Sequence, residues 1–198
     1  MMSFEIKIKE ELDAKLIDAF DSKYPNYNGT LKLGDGASYQ GTIINGEAQG
    51  YGIWIRDDGI VFSGNFVDSD LNGSGSISIP DGRLYEGVFK EGILIDGILY
   101  VNNRKFYQGG FDEHFRPSGK NGIMWFDAVS TGCDGYRYEG EFHDARPNGQ
   151  GTFFYPDGGI YCGECKNGYA HGYGYLYKGN VKKRCYYENG KFVRWLDS

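Results

Sequence analysis

Four cysteines in 198 residues are too few to staple a fold of this size, and the expectation is a reduced, cytoplasmic protein. Proline is scarce as well, with 5 residues, but 17 tyrosines and 13 phenylalanines exclude the aromatic-poor composition of a disordered chain. No long apolar run is present. The most apolar window, GILIDGILYV, is interrupted by Asp96 and is too short to span a bilayer, and the opening MMSFEIKIKEELDAKL has no apolar core of a signal peptide. An excess of positive charge is also missing. At a formal net charge of -6, the chain as a whole shows no electrostatic footprint for nucleic acid, and its one basic cluster is Lys182, Lys183 and Arg184.

What the sequence has in excess is glycine, 32 residues, where an average chain carries about 7%. The glycines are periodic. Tyr39, Phe62 and Tyr85 follow one another at intervals of 23 residues, as do Tyr138 and Tyr161. Counting each copy from its aromatic residue as phase 1, phase 3 is Gly41, Gly64, Gly87, Gly109, Gly140 and Gly163. Phases 12 and 14 are glycine in four copies, and phase 21 is Gly59, Gly82 and Gly158. A partial copy precedes the first full one over residues 27–38, and a degenerate one, RCYYENGKFVRW, follows the last, giving a partial copy at 183–192.

Within a copy, phases 1–6 and 14–18 are rich in aromatic and β-branched residues and are separated by Asn-Gly or Pro-Asp-Gly, so each copy reads as a β-hairpin. Pairing phase 3 with phase 16 puts phases 1, 3, 5, 14, 16 and 18 on one face. That face is apolar: phase 16 runs Leu31, Trp54, Ile77, Leu99, Met124, Phe153 and Leu176, and phase 5 adds Ile43, Phe66, Phe89, Phe111 and Phe142. In this register large side chains stand opposite the glycines, which gives the glycines a packing role.

The copies YEGVFKEG, YEGEFHDARPNGQGTFFYPDGG and YCGECKNGYAHGYGYLY resemble MORN repeats (membrane occupation and recognition nexus), and the resemblance covers residues 25–192. It implies an all-β fold, an elongated twisted antiparallel sheet of about seven tandem hairpins stabilised by nearest-neighbour contacts. It also implies a non-enzymatic scaffold that binds a peptide or helix of a partner protein, with homodimerisation as a further mode. Association with phospholipid headgroups is the alternative. The expected location is the cytoplasm, with attachment to cytoskeleton or membrane through a partner.

Outside the repeats, residues 1–24 are expected to form a cap. Ile8, Leu12, Leu16, Ala19 and Phe20 follow helical spacing ahead of Pro25, so an amphipathic helix is expected over 6–23, covering an open end of the array or docking on another protein. Residues 193–198 read as a tail. The fourth copy, Tyr107 to Arg137, is 31 residues long, and its extra residues in DEHFRPSGKN and DAVSTGCDGYR mark loops.

The second face carries the candidate binding residues. Phase 17 becomes aromatic in the later copies, with Tyr100, Trp125, Phe154 and Tyr177, and phase 15 adds Ile98, Ile123 and Tyr175. These seven would make a contiguous apolar ladder, the type of surface that binds a partner. Catalytic constellations and Walker loops are absent, and no cofactor is expected. A zinc site built from Cys162, Cys165, His171 and Cys185 is the chemical alternative. It is disfavoured because phases 2 and 5 of a strand send Cys162 and Cys165 to opposite faces, so no metal site is expected.

Overall fold

Two-residue turns with both residues in the left-handed region set the hairpins. In the computed structural model, Asn45 and Gly46 have φ of 54° and 85°, Asp68 and Ser69 49° and 66°, and Asn167 and Gly168 54° and 91°. Such turns match the twist of the strands they join, and Asn, Asp and Gly occupy them at least steric cost. The structure describes Leu12, Leu16 and residues 26–33, 36–126 and 135–196. Among these are fifteen strands, and Leu12 and Leu16 have helical backbone.

The chain divides into two units. Unit 1, Met1–Arg104 with Asp112–Phe115, contains β1 (Asn26–Lys32), β2 (Ser38–Ile44), β3 (Glu47–Ile55), β4 (Val61–Val67), β5 (Asp70–Ser78), β6 (Arg83–Lys90) and β7 (Ile93–Val101). Unit 2, Lys105–Phe111 with Arg116–Ser198, contains nearly all of β8 (Arg104–Gly110), then β9 (Gly119–Phe126), β10 (Tyr136–His143), β11 (Arg146–Phe154), β12 (Ile160–Lys166), β13 (Tyr169–Lys178), β14 (Val181–Glu188) and β15 (Lys191–Trp195). Inside each unit every strand pairs antiparallel with its sequence neighbour, so each is a run of successive hairpins. Strand β15 carries pairing through Trp195, beyond the expected end of the array at residue 192. The helix expected over residues 6–23 lies outside the described residues. Of that segment only Leu12 and Leu16 are described, both fully buried.

The register differs from the expected one by two residues. Phase 3 lies opposite phase 14, not 16: Gly64 pairs with Gly75, Gly87 with Gly97, Gly140 with Gly151 and Gly163 with Gly174. Phase 16 pairs with phase 1, as in Tyr39 with Trp54 and Tyr138 with Phe153. The return strand also begins near phase 9, earlier than phase 14, directly after the turn. Between the pairs Gly140–Gly151 and Phe142–Pro147 the return strand carries two more residues than its partner, and the register shifts there. Gly149 takes up this bulge with φ of 95°, a conformation open to glycine at little cost.

Both registers keep the same residues on the same face, so the core face is as expected. Tyr39, Ile43, Trp54, Phe62, Phe66 and Ile77 in unit 1 are fully buried, and Tyr107, Met124, Tyr138, Phe142 and Tyr161 are buried in unit 2. In four copies the glycines are covered by the phase 1 tyrosine rather than by phase 16, and its hydroxyl donates to the carbonyl three residues on: Tyr39 to Thr42 at 3.3 Å, Tyr107 to Gly110 at 2.9 Å, Tyr138 to Glu141 at 3.0 Å and Tyr161 to Glu164 at 2.9 Å. Where Cys165 replaces the phenylalanine that Phe142 supplies one copy earlier, Tyr161 packs edge-on against Tyr187 instead, 5.1 Å between ring centres.

Neighbouring hairpins are tied by one recurring bond. The N–H of the second turn residue donates to the carbonyl at phase 10 of the copy before, from Gly92 to Leu71 in unit 1 and from Gly168 to Pro147 and Gly190 to Ala170 in unit 2. Each hairpin is thereby fixed to the one before it, as nearest-neighbour stability requires.

Candidate protein-binding face

The second face of each unit is where the candidate residues lie, because side chains alternate along every strand. Ile98 and Tyr100 stand on β7 of unit 1, and Ile123, Trp125, Phe154, Tyr175 and Tyr177 stand on β9, β11 and β13 of unit 2. All are half-buried except Tyr175, which is 38% exposed.

Contiguity is the point the structure corrects. Along the hydrogen-bonding direction of unit 2, one row reads Trp125, Arg137, Phe154, Ile160, Tyr177 and Lys182, each paired with the next. The adjacent row reads Ile123, Glu139, Thr152, Cys162, Tyr175 and Arg184. The expected apolar ladder is thus interleaved with charge, because the strand between two phase 17 residues belongs to the next copy and contributes its own side chains.

The cations sit on the rings. The Arg137 guanidinium lies 4.2 Å from the centre of the Phe154 ring and reaches Glu139 at 3.1 Å. Lys105 lies 5.4 Å from the Trp125 ring, and Lys182 lies 4.1 Å and 5.4 Å from the rings of Tyr175 and Tyr177. The Tyr177 hydroxyl beside Lys182 holds its ammonium above the usual lysine range. Cations placed over aromatic faces are attracted by the ring quadrupole. The result is a surface of flat aromatic area with fixed positive groups, which sequence reading missed. The signal was the basic residue just before phase 1, Arg137, and its counterpart Lys182 beside the final copies.

One recess in unit 2, about 390 Å³, is lined by Tyr136, Tyr155, Pro156, Leu176, Tyr177 and Tyr187, with Asp157 and Lys178 also lining it. Asp157 accepts from Lys178 at 2.9 Å, and this hydrogen bond lowers the Asp157 carboxyl below the usual range.

Cys162 is exposed and Cys165 is buried, as expected for opposite faces. His171 accepts from the N–H of Asn189 through Nδ1 at 3.3 Å, tying β13 to the last turn. Among the described residues no group of three or more His, Cys, Asp or Glu side chains is placed to hold a metal ion, and no helix is long and apolar enough to cross a membrane.

Comparison with known proteins agrees with this architecture. Residues 39–61 and 138–160 each match the MORN repeat. Alsin of Rattus norvegicus is 30% identical over 166 residues, covering 66% of this chain and 10% of its own length. Protein TIC 100 of Arabidopsis thaliana is 26% identical over 140 residues, covering 60% of this chain and 16% of its own length. The chain therefore spans a small part of either relative. The matched residues lie among the hairpin copies whose glycine pairing and tyrosine packing are described above, and the chain carries MORN repeats at those two stretches.

Proposed function

We propose that this chain is a non-enzymatic scaffold that binds a partner protein through the second face of its strands, with homodimerisation as a further use of the same surface. The observation that carries the reading is the arrangement of Trp125 and Phe154, which flank Arg137 as its two cross-strand partners and leave half-buried aromatic area around a fixed guanidinium. Aromatic residues and arginine are the side chains on which protein interfaces most depend. Ile123, Tyr175 and Tyr177 extend the contact area within unit 2, and Ile98 and Tyr100 offer a surface of their own on unit 1. The cytoplasm is the proposed location, with attachment to cytoskeleton or membrane through the partner.

The test compares the intact protein with Trp125→Ser/Phe154→Ser, first for unchanged circular dichroism, then for mass in solution and for complexes recovered by cross-linking from native extract. The reading requires that the variant stays folded and loses its complex or its dimer. Retention of both would end it. Phospholipid binding is the alternative, and co-sedimentation with vesicles of phosphatidylserine and phosphatidylcholine separates the two readings.

A further inference from the structure

Charge is segregated along the chain. Residues 165–198 hold seven of the 21 Lys and Arg residues and two of the 27 Asp and Glu residues, a net +5, against -11 for all that precedes them. Strand alternation sorts this positive end. Lys182 and Arg184 project from β14 on the second face, paired with Tyr177 and Tyr175, whereas Lys183 pairs with Leu176 on the core face and lies 5.3 Å from the ring of Trp195. Arg194 joins the second-face group from β15, where it pairs with Tyr186 and lies 5.3 Å from its ring. Beside these cations Tyr173 is 55% and Tyr175 38% exposed, Tyr173 packing edge-on against Tyr186 and Tyr175 lying under Lys182. Acids on β12 and β14 share this face: Glu164, whose carboxylate accepts from the N–H of Tyr173 at 3.3 Å, and Glu188, four residues beyond Arg184 on β14, where it pairs with Lys191.

We infer that Lys182, Arg184 and Arg194, framed by Tyr173, Tyr175 and Tyr186, bind an extended segment of a partner protein with acidic residues at alternate positions. This rests on the scaffold reading and names the chemistry of one partner. The spacing selects the ligand. Lys182 and Arg184 are two residues apart on one strand, about 6.8 Å at the usual rise, and an extended peptide presents every second carboxylate at that interval. Ionised pairs of this kind are stronger than neutral hydrogen bonds, and the tyrosines supply apolar contact for the side chains between them.

Two other anionic ligands fit less well. Single-stranded nucleic acid needs aromatic faces open for base stacking, yet Lys182 already lies over the rings of Tyr175 and Tyr177. A membrane apposed to the second face reaches Lys182 and Arg184 but not Lys183, so the cluster of three consecutive cations in the sequence is not one cluster on the surface.

The experiment is fluorescence anisotropy with a labelled octapeptide of alternating glutamate and valine, against the same composition with the glutamates contiguous, an oligouridylate, and vesicles of phosphatidylserine and phosphatidylcholine. The alternating peptide is expected to bind best and to weaken as salt is raised. Lys182→Glu/Arg184→Glu is expected to raise its Kd by about tenfold or more. Lys182→Glu alone should weaken binding more than Lys183→Glu, which changes net charge equally but on the other face. Equal effects of those two single variants, equal binding of the contiguous peptide, or tighter binding of oligouridylate or vesicles through the same cations would overturn the inference. Unfolding midpoints of each variant identify any that fail to fold, and the two single variants then serve in place of the double. Sensitivity to Trp125→Ser/Phe154→Ser without sensitivity to charge reversal would leave the scaffold reading standing and remove this one.

Discussion

The ring of Tyr138 lies against Gly151 so closely that a methyl group on that glycine would overlap the hydroxyl oxygen, Cζ and Cε2 of the tyrosine. The same relation recurs between Tyr39 and Gly52, where the methyl would fall 2.5 Å from Oη, and between Tyr161 and Gly174, where it would fall 2.5 Å from Cε2. In these copies the repeat is a tyrosine laid over paired glycines, its hydroxyl tied to the backbone three residues ahead, whereas Leu71 and Leu94 approach the glycines of the copies that open at Phe62 and Tyr85. Close approach of a large side chain or of the facing backbone leaves room only for glycine at these positions, and in the copies that open at Tyr39, Tyr138 and Tyr161 that side chain is the opening tyrosine.

Gly151→Ala should consequently destabilise the protein by roughly 1–3 kcal/mol, the usual cost of overpacking a filled site. Thr152→Ala, next to it on the second face, should stay within about 0.5 kcal/mol. Urea unfolding followed by circular dichroism measures both. Equal midpoints for the two variants would contradict the packing described for Tyr138.

The faces of the strands were legible in the sequence because a period of two survives any even shift of register, and Trp54 and Phe153 were placed correctly on the core side for that reason. The register itself was not. Counting outward from a two-residue turn at Asn167-Gly168 would pair phase 3 with phase 12, and only the bulge at the phase 12 glycine, Gly172 in that copy with φ of 66°, moves the partner to Gly174. A glycine inside a strand pattern is the sign of such a bulge. Interleaving of Arg137 between Trp125 and Phe154 escaped the reading because it arises between copies, whereas the phase count compares like positions within them.

Leu12 and Leu16 are fully buried within the single chain. Leu12→Ala and Leu16→Ala should each cost about 2–5 kcal/mol, as buried leucines do. The loss should appear in the unfolding of the protein without a change of its mass in solution. A change of mass with an unaltered unfolding midpoint would assign the segment to an interface.

Thiol reactivity should separate the faces of β12. Cys162 is exposed, while burial pushes the Cys165 thiol up to about 12, and Cys185 is buried with its thiol donating to the Gly174 carbonyl at 3.4 Å. The thiolate is the reactive species. Iodoacetamide at mildly alkaline pH should therefore label Cys162 in the native protein, with Cys165 and Cys185 reacting only after denaturation, as read by peptide mass analysis. Labelling of Cys165 at the rate of Cys162 would mean that the core face is not closed there.

The tyrosines set an upper pH for the fold. Burial pushes the Tyr39 hydroxyl up to about 12, and burial is also the main cause of the upward displacement of Tyr138 and Tyr161. An unfolded chain loses its phenolic protons near pH 10. Between those two values the folded state holds protons that the unfolded state has released, so stability is fully present below about pH 10 and declines as pH rises toward about 12. The slope is at most about 1.4 kcal/mol per pH unit for each such tyrosine. Urea midpoints measured across this range should fall. Tyr39→Phe removes one titrating group along with its bond to the Thr42 carbonyl at 3.3 Å; it should begin from lower stability and show a shallower decline. A decline as steep in Tyr39→Phe as in the parent would show instead that the buried Tyr39 hydroxyl is not a source of the loss.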